Sequence, residues 1–265
     1  MRTIGGLLLL LGLVGSICPA AAQLSTSSGL PLASLPAPPQ SDTAPDASLF
    51  YVAGEPTTLH NLSSLNAPVA RLSVRTPVTR LRCTEESCRV RTEDGDVGYV
   101  ARTALSNVWI RVSKGKRRVY VYRGPERVDA FEADMAYNSF ADKKRNGSEE
   151  RPDHWRTPEG SYHVVHKNPD SQFYKAFVLN YPKVEDARRG LEDSLISRSQ
   201  YQAIKRAQER FQIPPMNTDL GGWIEIHGDG TGDATAWTQG CVALRDGVMD
   251  ELWDQVRVGT PVLVE

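Results

Sequence analysis

Short β-favouring runs, each closed by turn-forming residues, leave this chain little choice but a mainly β fold. Phe50-Tyr51-Val52, Val69 to Val74, Thr79 to Arg82, Arg89-Val90-Arg91 and Gly98-Tyr99-Val100 follow one another closely. Several alternate in polarity, as a half-buried strand requires, and Asp94-Gly95 sits where a hairpin turn belongs. Past residue 107 the pattern resumes. Val108 to Val112 and Arg118 to Tyr122 flank the basic cluster Lys114 to Arg118, which reads as a solvated turn. Phe131 to Tyr137, Ser161 to Val165, Ala176 to Leu179 and Thr260 to Val264 read as further strands, and the charged stretch 141–156 as a long surface loop. Helical spacing is rarer. Tyr201, Ile204, Ala207, Gln208 and Phe211 follow a capping-box spacing at Ser199-Gln200-Tyr201-Gln202 and stop before Pro214-Pro215. Val248, Met249, Leu252, Trp253 and Val256 share one apolar face, with Asp246 as the expected N-cap. The predicted architecture is a small β barrel over 49–106 and a β-rich domain with a few helices over 107–265.

The chemistry concentrates near the C-terminal end. Gly221-Gly222-Trp223-Ile224-Glu225-Ile226-His227-Gly228 ends a short apolar run on a histidine. Thr238-Gln239-Gly240-Cys241-Val242-Ala243-Leu244 follows after a Gly/Asp/Thr-rich loop. A strand ending at His227 can fold back through that loop and bring Cys241 beside the imidazole. Cysteine and histidine are the minimum for a thiol nucleophile: the base takes the thiol proton and the sulfur attacks a carbonyl. Such a thiol is expected to titrate below the ordinary value of about 8.5. Gly240 lets backbone N–H groups turn toward an oxyanion, with Thr238 and Gly228 as loop supports. Strand alternation places Glu225 beside His227 on one face, where an accessible polar residue is the plain expectation.

The other end reads as an export signal. Met1-Arg2, the apolar run Leu7 to Val14 and Ala20-Ala21-Ala22 describe a cleavable signal peptide over 1–22, too short for a membrane span. Residues 23–48 are rich in Ser, Pro and Ala and read as a linker. The expected location is the periplasm or cell envelope, with no stable membrane span after cleavage. Cys18 leaves with the signal, and Cys83 and Cys88 pair across a hairpin in an oxidising compartment. That isolates Cys241 as the odd thiol. With 31 basic and 32 acidic residues, and no basic stretch interleaved with aromatics, the chain offers nothing for nucleic acid. His163 and His166 lack the ligand pattern of a zinc site, so neither metal nor cofactor is expected.

His-Gly followed by Thr-x-Gly-Cys-Val resembles the active-site signature of the L,D-transpeptidases, the YkuD-type domain that remodels bacterial peptidoglycan. Thr157-Pro158-Glu159-Gly160-Ser161-Tyr162, Asn168 to Phe173 and Tyr181-Pro182 resemble further segments of that family, and the C-terminal part is most similar to its YafK/ErfK-like branch. Gly98-Tyr99-Val100 closes a stretch that resembles the end of a bacterial SH3-like domain. The resemblance implies a cysteine-dependent enzyme that acylates Cys241 with a tetrapeptide stem, His227 acting as base. The acyl group then passes to an amine, of a neighbouring stem or of a wall-linked lipoprotein. Two alternatives stay open: a hydrolase of the same fold, and a non-catalytic wall-binding protein. Many members have His at the position of Gln239 and Arg at that of Ala243, which leaves a substrate carboxylate without its usual cation. Arg245, Tyr174 and His154 are the candidate substrate-binding residues. The group that orients His227 is not legible.

Overall fold

The computed structural model describes residues 48–265; the expected signal peptide and nearly all of the expected linker fall outside these residues. The first strands are β1 (Ser48–Val52), β2 (Thr57–His60), β3 (Pro68–Leu72), β4 (Pro77–Cys83), β5 (Ser87–Thr92), β6 (Val97–Ala101) and β7 (Leu105–Ser106). They form one sheet in the order β3-β2-β6-β5-β4-β1-β7. Alternation supplies its core: Val52, Leu59, Val78, Val90 and Val100 point inward together. Cys83 and Cys88 face each other across the β4–β5 hairpin and are disulfide-bonded.

The larger sheet follows. Its strands are β8 (Val108–Ser113), β9 (Arg118–Arg123) and β10 (Glu126–Glu132), then, after the short β11 (Met135–Ala136), β12 (Gly160–Ser171), β13 (Tyr174–Leu179) and β14 (Glu225–His227). β15 (Ala236–Thr238) pairs with β11 alone, while β16 (Val242–Ala243) and β17 (Pro261–Val264) complete the large sheet. Its order is β10-β9-β8-β17-β12-β13-β14-β16. β17 enters between β8 and β12, parallel to β8, so the chain's last strand closes the middle of the sheet. One face carries Ile110, Val112, Val164, Phe177, Ile226 and Val242 into the main core, where Met249 and Leu252 of α3 (Asp246–Trp253) cover them.

Two helices, α1 (Val184–Glu192) and α2 (Arg198–Glu209), pack Ala187 and Ile204 against Leu220. The capping box of α2 is Ser197 with Gln200, two residues earlier than expected. Ser197-x-x-Gln200 has the same spacing as Ser199-x-x-Gln202; burial of Ile196 just before the helix selects the first. Sequence reading missed α1, whose charged surface residues hide its short buried face. Asp246 is the first residue of α3, not its cap, and its carboxylate accepts the Asp229 N–H instead (2.8 Å).

The two sheets are tied by polar contacts. Tyr51 donates its hydroxyl to the Val108 carbonyl (2.6 Å), and the Arg257 guanidinium donates to the Thr103 and Leu105 carbonyls. The basic turn is only partly solvated. Lys114 is buried, and its ammonium donates to the Ala141 carbonyl (2.8 Å), the Thr157 carbonyl (3.0 Å) and the Glu159 carboxylate (2.8 Å). A lysine can be buried when each ammonium hydrogen finds an oxygen. Replacing Lys114 by Met strands those three acceptors, and charged hydrogen bonds of this kind are worth about 1.5–3 kcal/mol each. Lys114→Met should therefore lose about 3 kcal/mol in urea denaturation; an unchanged midpoint would restore the solvated-turn reading.

Candidate active site

Register decides what meets at the site. β14 and β16 run parallel, with Ile226 opposite Val242 and His227 opposite Ala243. One step back along the same register, Cys241 stands opposite Glu225. Paired residues of a parallel ladder share a face, and alternate residues along a strand share it too. Cys241, Glu225 and His227 therefore project from the same side, while Ile226 and Val242 enter the core on the other. The strand is shorter than expected: Trp223 has φ 52°, which breaks the extended path before Glu225. A bulky residue held in the left-handed region is rare and strained. That bend aims the Trp223 carbonyl at the site, where it accepts the Cys241 thiol hydrogen (3.2 Å).

Phe173 stacks on the His227 ring (4.4 Å between centroids) and Trp237 meets its edge (6.2 Å). His227 Nδ1 lies 2.7 Å from the Gly228 carbonyl. A carbonyl only accepts, so Nδ1 carries the hydrogen and Nε2 is left as the basic nitrogen. The orienting group is thus backbone, and no side-chain motif could have revealed it. Gly228 is glycine of necessity, since a Cβ there would lie 2.5 Å from the Asp246 carboxylate and 2.8 Å from the Phe173 carbonyl.

Burial sets the protonation states. It pushes the His227 pKa down, only partly offset by the bond to Gly228, so the imidazole is neutral near pH 7. Burial pushes the Cys241 thiol up to about 12, Glu225 adds to this and Lys143 opposes it. The expected depressed thiol is therefore corrected: the resting pair is a neutral thiol and a neutral imidazole. Glu225 is corrected as well. It is 8 % exposed, not an accessible polar residue, and burial raises its carboxyl to about 7.

The loop between His227 and Cys241 hangs from Asp134, which sequence reading passed over. Its carboxylate accepts from Thr231 N (2.7 Å), Thr231 Oγ1 (2.9 Å), Thr235 N (2.9 Å) and Trp237 Nε1 (2.9 Å). Burial alone would raise its pKa; the four bonds outweigh that and hold it below the usual carboxylate range. Its backbone also exchanges hydrogen bonds with Ala243 (2.9 and 3.0 Å). Thr238 donates its hydroxyl to the Cys241 carbonyl (2.7 Å) and so shapes the final turn. The Gly240 N–H is turned toward that same hydroxyl (3.4 Å) rather than outward. Gly240 itself has φ 147°, and a Cβ would approach the Arg156 carbonyl to 2.9 Å.

A cavity of about 1010 Å³ opens over Cys241, Glu225, Trp223, Phe173 and Trp237. The three expected substrate-binding residues do not line it. Arg245 points away, its side chain 63 % exposed and bonded to the Thr231 carbonyl (3.2 Å). Tyr174 donates to Asp250 on α3 (2.9 Å), and His154 lies in the 137–159 loop beside Asp153. Lys143, from that same loop, does line the cavity. In the sequence it is one of several charges in a polar stretch, and nothing there marks it as buried.

A β-rich sheet thus presents a cysteine and a histidine on one face, with the cysteine lining the cavity. Residues 107–264 match the family model of the YkuD L,D-transpeptidase catalytic domain, and the chain belongs to that family. No curated protein matches the chain in sequence. Among solved structures it is similar to Bd1075 of Bdellovibrio bacteriovorus (22 % identity, 60 % of this chain and 48 % of that one, TM-score 0.39). It is also similar to the helical cell shape determining protein Pgp2 from Campylobacter jejuni (22 % identity, 60 % and 46 %, TM-score 0.39). A third is an L,D-transpeptidase from Mycobacterium smegmatis (13 % identity, 88 % of each chain, TM-score 0.34). The chain spans about half the length of the first two.

Two measurements test the electrostatics. The alkylation rate of Cys241 in the free protein should keep rising to pH 10, because the thiol is raised; a plateau below pH 8 would mean a depressed thiol. For Glu225, a raised carboxyl costs nothing below 4.5, where it is protonated folded and unfolded, and the cost accumulates up to about 7. At about 1.4 kcal/mol per pH unit, it reaches about 3 kcal/mol above that range. Glu225→Gln should therefore gain about 3 kcal/mol more stability relative to wild type at pH 8.5 than at pH 4 in denaturant titrations; an equal effect at both would oppose the assignment.

Proposed function

We propose that this protein is an exported enzyme of the cell envelope that uses Cys241 to form an acyl-enzyme with a peptidoglycan stem peptide and passes the acyl group to an amine. The observation that carries the reading is the shared sheet face of Cys241 and His227, with Nε2 of His227 left as the free base by the Gly228 carbonyl.

In the free protein the thiol hydrogen is held by the Trp223 carbonyl, not by His227. Apo contacts of this kind commonly tighten only when substrate is bound. On binding, the thiol turns from Trp223 to His227. Nε2 removes the proton as sulfur attacks the carbonyl between the third and fourth stem residues. The carbonyl π pair moves to oxygen, where the Cys241 N–H serves as oxyanion donor; the Gly240 N–H is directed to Thr238. Collapse of the tetrahedral intermediate re-forms the carbonyl and breaks the C–N bond. The imidazolium returns its proton to the departing amine, leaving a thioester. An incoming amine repeats these steps in reverse order and frees the thiol.

A pair that rests neutral suits this chemistry. Neither sulfur nor imidazole has to hold a charge before substrate arrives, and the proton moves only as sulfur becomes bonded to carbon. Hydrolysis is the second reading: water entering the same open cavity would resolve the thioester, so the cavity's openness keeps it alongside transfer. The 49–106 region is proposed as an SH3-like module that contacts wall material.

Purified protein incubated with tetrapeptide-stem muropeptides, with and without a D-amino acid or acceptor stem, should gain an acyl adduct by intact mass. It should yield exchanged or cross-linked products. Cys241→Ala should abolish both, and His227→Ala should slow acylation by about 10²–10⁴-fold, as for loss of a general base. Full activity in Cys241→Ala would sink the proposal, and shortened stems without exchange would select the hydrolase.

A further inference from the structure

Two lysines are buried among the described residues, and only one has a structural explanation. Lys114 spends its ammonium on two carbonyls and a carboxylate. Lys143 is 1 % exposed, yet no hydrogen bond or ion pair engages its ammonium among the described residues. An unpaired buried ammonium is expensive, and burial lowers its pKa to about 8. Its stem is nonetheless held firmly. Gly221 packs so close that a Cβ would lie 2.9 Å from Lys143 Cε, and three residues on in the same loop Asn146 N donates to the Asp219 carbonyl (2.7 Å). The charge is therefore built in, fixed in direction and left without a protein partner.

Its direction is the cavity. Among the described residues that line the cavity, Lys143 is the one cation, and its charge is felt by the Cys241 thiol. Glu225 acts on the thiol in the opposite sense, and all three groups line the same cavity. An anion bound at Lys143 would sit within a few bonds of the carbonyl that sulfur attacks. Resting on the reading of Cys241 as an acylated nucleophile, we infer that Lys143 is the specificity residue that seats the terminal carboxylate of the acyl donor. That carboxylate belongs to the residue that leaves, two bonds beyond the amide nitrogen. The seat answers the departure at Ala243, which offers no cation, while Arg245 is turned outward. It also predicts rejection of donors one residue longer, whose carboxylate would overshoot the ammonium.

The test compares two donors with the full chain: a tetrapeptide stem ending in a free carboxylate, and the same stem ending in a carboxamide. Acylation of Cys241 is followed by intact mass. Wild type should prefer the acid by about 10–100-fold in kcat/KM, the range of one charged hydrogen bond. Lys143→Met should abolish the preference, bringing acid and carboxamide to one common rate, while Lys143→Arg should keep part of it. Lys143→Met should also hold or raise the thermal midpoint, the opposite of Lys114→Met, since it removes an unpartnered charge. Equal rates for acid and carboxamide in wild type would overturn the inference, as would Lys143→Met slowing both donors alike. If neither donor acylates wild type, the acyl-enzyme reading fails on its own account. Equilibrium binding of the two peptides to Cys241→Ser protein then decides the seat: tighter binding of the acid that depends on Lys143 supports it, and equal binding refutes it.

Discussion

The site depends on one buried carboxylate. Asp134 collects two backbone N–H groups, a hydroxyl and an indole N–H from a single loop. Its own backbone joins β16 at Ala243. A Gly/Asp/Thr-rich loop has high conformational entropy and little apolar surface to offset it. Hydrogen bonds to a charged acceptor supply what apolar packing does not. With the loop anchored, Trp237 is held against His227 and the Thr238–Cys241 turn returns the chain to the sheet. Because the Asp134 pKa is depressed, this contribution is complete above its ordinary value of 3.8 and disappears as pH falls through the folded value.

Parallel pairing of β14 with β16 then does for chemistry what Asp134 does for the loop. A slip of one residue would send Cys241 to the core face and Val242 to the cavity. The apolar residues Phe177, Ile226 and Val242 oppose such a slip, since they must stay with Met249 and Leu252. Core packing thus sets the register, and the register sets which side chains meet the substrate. The same burial that stabilises the sheet raises the thiol and Glu225 and lowers His227. Low dielectric is the common cause, and it leaves Cys241 and His227 uncharged near neutral pH while Glu225 titrates at about 7.

Much of the architecture was legible because strands announce themselves locally. The Val108–Val112 and Arg118–Tyr122 runs and the apolar stripe of α3 stand where their periodicity places them. The errors share a cause. Lys114 and Lys143 read as solvated because lysine usually is, and Glu225 read as accessible because glutamate usually is. Each is buried by segments distant in sequence. The cap of α2 was displaced by two residues because two overlapping Ser-x-x-Gln boxes were equivalent until Ile196 was buried. Arg245 was the nearest cation in sequence to the vacant Ala243 position, while the cation in the cavity lies a hundred residues away.

Residue type and local spacing by themselves determined that the protein is mainly β, that His227 ends a strand and that Cys241 follows a glycine turn. These are properties of neighbouring residues, carried by backbone preference and side-chain alternation. Tertiary structure alone decided that the Gly228 carbonyl orients the imidazole, that Asp134 anchors the loop, and that Lys143 and Glu225 line one cavity with the sulfur. Such facts depend on burial and on contacts between remote segments. A sequence records which groups can ionise or bond, and only the packed fold sets the dielectric and the partners each group meets.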